Sequence, residues 1–215
     1  MRLFAMRGWR RAVIAGCVAG SALLAGPAAA PGGGASRVHF GTSGWAGYAW
    51  YTGSHQVSAS LRLPYVYPAS NAGAAFWVGF GLGPGIEQAG FTANMVGGRL
   101  QWTEWYELYP APPVAFGWRA YSGNDVSMTV TYRGGGWYTL TVHNATRNWT
   151  SSVTRYASHS TLGIAEAVTE AYGPPLAHFS PARFYGLPDS WGWAYSMPWA
   201  YASPRSCNSF TVYWR

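Results

Sequence analysis

The chain has 215 residues, 49% of them hydrophobic and only 10% charged, with 28 Gly and 14 Pro. That profile suits one domain behind a leader, and favours short strands and turns over long helices. The 14 basic residues are all arginine, four of them within the first eleven positions, and the others are scattered, which excludes the concentrated basic stripe of a nucleic-acid binder.

Only seven carboxylates are present. Acid unfolds proteins mainly by protonating carboxylates that are paired in the native state, so this chain is expected to tolerate low pH.

In chain order, a short basic stretch comes first. An apolar run of small residues, Ala12 to Gly26, follows it, and then small-residue cleavage sites up to Ala35. This reads as a secretory signal peptide and short linker over 1–35, too short in its apolar run to span a bilayer. The Arg10-Arg11 pair suits an ordinary basic segment better than a twin-arginine signal. The mature protein, 36–215, is expected outside the cell. With the leader removed Cys207 stands alone, expected as a small buried residue and not as part of a disulfide or metal site.

Period-two alternation then recurs between turn signals. Trp45–Tyr51 reads as a strand. Val57, Ala59, Leu61 and Leu63 share one face of the next, ended by Pro64. Strands are expected over Ala74–Phe80, Ile86–Thr92 and Arg99–Tyr109. Val126–Tyr132 and Tyr138–Val142 form a hairpin around Gly134-Gly135-Gly136. Thr150–Ala157, Leu162–Glu170, Ala177–Tyr185 and Phe210–Trp214 complete the series. No segment carries a 3.6-residue apolar stripe. The expected fold is all-β: a two-sheet antiparallel β-sandwich of the jelly-roll, concanavalin-like kind, whose concave outer face holds an extended ligand. The 13 Trp and 15 Tyr would divide between its core and that groove.

Phosphate loops, zinc helices and nucleophile elbows are absent from the sequence, and its five His show no ligand spacing. Chemistry must then rest on carboxylates. Asp125 and Asp189 read as turn residues. Glu87 is opposite in parity to Ile86 and Gln88 and is expected to face solvent. Glu104, Glu107, Glu166 and Glu170 remain. Glu166 shares parity with Leu162, Ile164 and Val168; a carboxyl on that apolar face has a raised pKa, whether it serves as general acid and base or as a hydrogen-bonded structural group. Glu107 shares a face with Trp105 and Tyr109, which fits a groove floor or an ordinary tyrosine-bonded side chain.

Several strings, in order, resemble the glutamic peptidases (eqolisins). Trp45-Ala46-Gly47-Tyr48 resembles their W-x-G-Y, and Trp77-Val78-Gly79-Phe80-Gly81 their W-V-G-I-D. Ile86-Glu87-Gln88-Ala89-Gly90 resembles I-L-Q-T-G. Glu104 to Pro110 resembles A-W-Y-E-W-Y-P, Ala165 to Glu170 resembles A-E-W-I-V-E, and Leu176 to Phe184 resembles L-A-D-F-G-x-V-x-F. Ser209 to Trp214 is similar to the last strand of bacterial members. The resemblance implies a secreted, acid-acting endopeptidase with Gln88 and Glu166 as catalytic pair. Trp77, Trp105, Glu107 and Tyr109 would support the site or bind substrate. It implies protein or peptide substrates, no cofactor or metal, no nucleic-acid or membrane partner, and a monomer. Departures stand at Gly81, Ala167 and His178. Two other readings suit the same composition: a xylanase-like glycoside hydrolase using Glu107 and Glu166, and a lectin-like binding module without catalysis.

Overall fold

The structure is a computed structural model. It describes residues 44–215 apart from 68–71, 82–83, 97, 118, 160–161, 172–175 and 190–191; the leader expected over 1–35 lies outside these residues. Every named element is a strand: β1 (Trp45–Tyr51), β2 (Gln56–Arg62), β3 (Gly73–Gly81), β4 (Ile86–Val96), β5 (Arg99–Tyr109), β6 (Val114–Ala115) and β7 (Asp125–Gly134). Then come β8 (Trp137–Asn144), β9 (Trp149–Tyr156), β10 (Ile164–Glu170), β11 (Ala182–Tyr185), β12 (Trp193–Met197), β13 (Ala200–Ala202) and β14 (Phe210–Trp214).

All strand pairings are antiparallel, and the hydrogen-bonded order is β6-β5-β4-β3-β10-β1-β12-β13-β14-β11-β2-β7-β8-β9. The ribbon turns at β12 and β13, so that β6 to β12 form one layer and β13 to β9 the other. Rings cross the gap between layers: Tyr48 meets Phe210 at 5.0 Å, and Phe80 meets Tyr138 at 6.5 Å. Between the layers lie Phe76, Val78, Phe91, Ala165 and Ala167 from the first, and Val57, Leu61, Met128 and Leu140 from the second. Removing these apolar faces from water is the main stabilising term.

The outer face of β7 to β9 is polar and uncharged along much of its length. Thr139 Oγ1 lies 3.0 Å from Thr154 Oγ1, and Thr141 Oγ1 lies 2.8 Å from Ser152 Oγ. Hydroxyl pairs across strands replace charged side chains there.

Two expectations are corrected. Cys207 is exposed, at a turn with φ of 49°, so it is not buried. Glu87 is buried, at 1% exposure. Its backbone register with Phe80 and Leu108 puts it on the face between the layers. Ile86 and Gln88, opposite to it in parity, occupy the outer face of the layer instead.

Candidate active site

One row of residues runs across the first layer. Trp193 pairs with Ala49, Ala49 with Glu166, Glu166 with Gly79, Gly79 with Gln88, and Gln88 with Glu107. Residues directly opposite in adjacent antiparallel strands share a face. Glu166 of β10 and Gln88 of β4 therefore stand on the same face, separated only by Gly79 of β3. With strands about 4.8 Å apart, their backbones are roughly 10 Å apart, and position 79 has no side chain to fill the gap.

Two residues further along each strand lies an aromatic row: Tyr195, Gly47, Val168, Trp77, Gly90 and Trp105. Gly90 leaves space for the Trp105 ring, whose Cζ2 lies 3.0 Å from where a Cβ at position 90 would stand. The Trp105 indole crosses β4 and donates to Thr92 Oγ1 at 2.7 Å. The next row holds Trp45 opposite Glu170. Trp77 Nε1 donates to Glu170 Oε2 at 2.8 Å, and Trp45 packs edge-on against Trp77 at 5.2 Å. These rings form a second apolar cluster, on the opposite side of the layer from the main core.

In the central row Gln88 and Glu166 are buried and incompletely satisfied, and Glu107 is half-buried. Gln88 Nε2 donates to Glu107 Oε2 at 2.5 Å. Tyr195 donates to Glu166 Oε1 at 3.4 Å. Gln88 Oε1 and Glu166 Oε2 are buried without a hydrogen-bond partner among the described residues. Such atoms are costly unless something else, such as water or ligand, meets them.

Burial raises the Glu166 carboxyl from 4.5 to about 8; the Tyr195 hydroxyl opposes the rise and the charge of Glu170 adds to it. Glu107 is pushed up to about 7, again chiefly by burial, with repulsion from Glu170 adding and the Gln88 hydrogen bond opposing. Glu170 is raised by burial against hydrogen bonds from Trp45 and Trp77. Three carboxyls on one desolvated face thus all resist ionisation, a pattern frequent at functional sites.

The residues singled out from sequence fall together. Gln88, Glu166 and Glu107 occupy the central row, Trp77 and Trp105 the aromatic row, and Tyr109 the opposite flank, paired with Ile86. Of the three departures, Ala167 faces the gap between layers, in register with Val78. His178 stacks with Tyr67 at 4.5 Å, away from this face. Gly81 alone is on it, where a Cβ would approach Gly85 O to 2.3 Å. Sequence reading missed the roles of Gly79 as floor and Glu170 as indole acceptor, and missed Trp193 and Tyr195 altogether. The alternation Trp193-Ala194-Tyr195 was the available signal for the last two.

Residues 43–188 match the model of the Peptidase A4 family. No curated protein matches the chain. Among solved structures, scytalidoglutamic peptidase bound to a peptide-based transition-state analogue is similar, with 22% identity, TM-score 0.66, and coverage of 80% of this chain and 98% of that one. SCP-B, a member of the eqolisin family in complex with the tripeptide Ala-Ile-His, has 20% identity, TM-score 0.63 and the same coverage. Aspergilloglutamic peptidase from Aspergillus niger has 21% identity and TM-score 0.54, covering 66% of this chain and 99% of that one. The family match extends over most of the described fold and every residue of the central row except Trp193, and the chain belongs to the Peptidase A4 family, as an endopeptidase of the glutamic type.

Proposed function

We propose that Glu166 and Gln88 hydrolyse peptide bonds by activating a water held between them above Gly79. The observation that carries this reading is the pair of unsatisfied oxygens, Glu166 Oε2 and Gln88 Oε1, on one face across a residue with no side chain. A water there would donate one proton to each oxygen. As the water attacks the scissile carbonyl, Glu166 takes its proton, and then returns one to the leaving nitrogen. The Gln88 amide has two N–H groups. One is held by Glu107, which fixes the plane of the amide; the other supports the developing oxyanion. Trp77, Trp105 and Tyr109 line the groove for the substrate chain. Beside Tyr109 a cavity of about 290 Å³, lined also by Leu108, Tyr156 and His159, has room for a substrate side chain.

The crowding of carboxyls suits work below neutrality, where all three are mainly protonated. Glu166, raised to about 8, is then mostly in its acid form, and the reacting form is the minor one in which it has given up that proton, a charge favoured by the water and by Tyr195. Glu107 and Glu170 must keep their protons, because a second charge nearby disfavours the first. Glu107 releases its proton at about 7, so activity falls as pH rises through neutrality. We also propose that the protein acts outside the cell after loss of residues 1–35, as a monomer.

Glu166→Gln and Gln88→Ala are each expected to lower casein cleavage at acid pH by at least about a hundred-fold, with circular dichroism unchanged. Full activity in either variant would end the assignment. The glycosidase reading has less support, since Gln88 stands between Glu107 and Glu166 and occupies one of the Glu107 oxygens.

A further inference from the structure

The family match ends at residue 188, but the site continues past it. β12 lies along β1, with Trp193 opposite Ala49 and Tyr195 opposite Gly47, so both rings sit on the face that carries Glu166. Tyr195 is 3% exposed. It is held edge-on against Trp45 at 5.8 Å, and Trp193 is held against Tyr51 at 5.2 Å. The Trp193 indole dipole favours ionisation of the Tyr195 hydroxyl, and that hydroxyl donates to Glu166 Oε1. A polarised donor from the C-terminal segment thus reaches the carboxyl at the centre of the site.

We propose that Tyr195 is a positioning residue for peptide hydrolysis: it engages one oxygen of Glu166, leaving Oε2 as the oxygen that exchanges protons with water and substrate. This rests on the reading of Glu166 as the proton carrier. A glutamate side chain has three torsions, and without a fixed partner its two oxygens interchange. One directed donor removes that freedom and selects which oxygen faces Gln88. At 3.4 Å the bond is long for a hydroxyl and a carboxyl, so it can shorten when charge develops on Glu166, and such a bond favours that charge.

The titratable groups that share the face with Glu166 are Glu170 on its own strand, Glu107 and Tyr109 from β5, Tyr195 from β12, and Tyr51 at the end of β1. Glu170 disfavours charge on Glu166, whereas Tyr195 favours it. Burial and the neighbouring carboxyl push the Tyr195 hydroxyl up, so it stays a donor over the whole working range.

The test is kcat and KM against pH on a casein-derived peptide for wild type, Tyr195→Phe and Trp193→Phe, with Glu166→Gln as the inactive reference. Tyr195→Phe removes one oxygen and keeps the ring. It is expected to leave KM within about two-fold while lowering kcat about ten-fold, and to move the acid limb of kcat upward by about one pH unit. Trp193→Phe should move that limb in the same direction by less. A wild-type kcat with an unmoved limb in both variants overturns the proposal, and so does a loss of kcat with no shift of the limb. Should Tyr195→Phe not fold, the limb of Trp193→Phe decides alone. Activity retained in Glu166→Gln would instead overturn the reading of the site itself.

Discussion

A Cβ at position 79 would stand 2.8 Å from the carbonyl oxygen of Glu87 and 3.0 Å from Cβ of Gln88. The first contact is to backbone and cannot relax cheaply, and the second pushes on the base of a proposed catalytic side chain. The added methyl would also occupy the gap that separates Gln88 from Glu166. Gly79→Ala is therefore expected to lower kcat by about a hundred-fold or more, through misplacement of the reacting groups, while costing about 1–3 kcal/mol of stability from overpacking. Denaturant unfolding of the variant alongside its kinetics separates the two effects. A variant with normal kcat would show that the slot above position 79 takes no part in the reaction. The same scale shows what sequence could reveal. The string Trp77-Val78-Gly79 marks a strand, but only the register of three strands shows that its glycine lies between a glutamine and a glutamate far apart in the chain.

At the scale of the strand, periodicity located most of the expected strands and grouped their side chains by face, although Ala177–Tyr185 is a strand only from Ala182. Val57, Ala59, Leu61 and Leu63 are all buried, as their alternation required. It could not say which face meets the second layer. β3, β4 and β10 are covered on both sides, so polarity carries little information in them: Ala165 and Ala167 face the main core, while Ile164 and Val168 face the groove with Glu166. That ambiguity misplaced Glu87, and it also explains how a face read as apolar could hold the candidate site. β12 and β13 escaped notice because they are short, five and three residues, and lie among Pro, Gly and Ser where turn signals dominate. The groove face of β4 and β5 is joined by the Trp105 indole bonded to Thr92. Thr92→Val preserves shape but leaves that buried N–H without an acceptor. It is expected to cost about 1–3 kcal/mol and to weaken substrate binding more than kcat, as read from KM and from the urea midpoint. A midpoint equal to wild type would mean that the indole finds another acceptor.

Across the whole molecule the site places a pH dependence on stability. Glu107 and Glu166 are raised from 4.5 to about 7 and about 8, and Glu170 is raised as well. In the unfolded chain all three ionise near 4.5. Between that pH and about 8 the folded protein therefore binds more protons than the unfolded one. Stability falls as pH rises wherever that holds. The contribution of these groups is fully present below about pH 4.5 and is lost as pH climbs through 7 and 8. This is the opposite of the usual carboxylate, whose pairing fails in acid. The sequence suggested acid tolerance because carboxylates are few; the fold adds that the ones gathered at the site are most at ease when protonated. The melting temperature should accordingly be higher at pH 4 than at pH 8. Glu166→Gln supplies a neutral side chain of the same shape, so it should leave the melting temperature at pH 4 nearly unchanged and raise it at pH 8 by several degrees, which at this size corresponds to a few kcal/mol or less. Equal shifts at both pH values would mean that Glu166 is not held protonated by its surroundings, and the electrostatic basis for acid operation would fall with it.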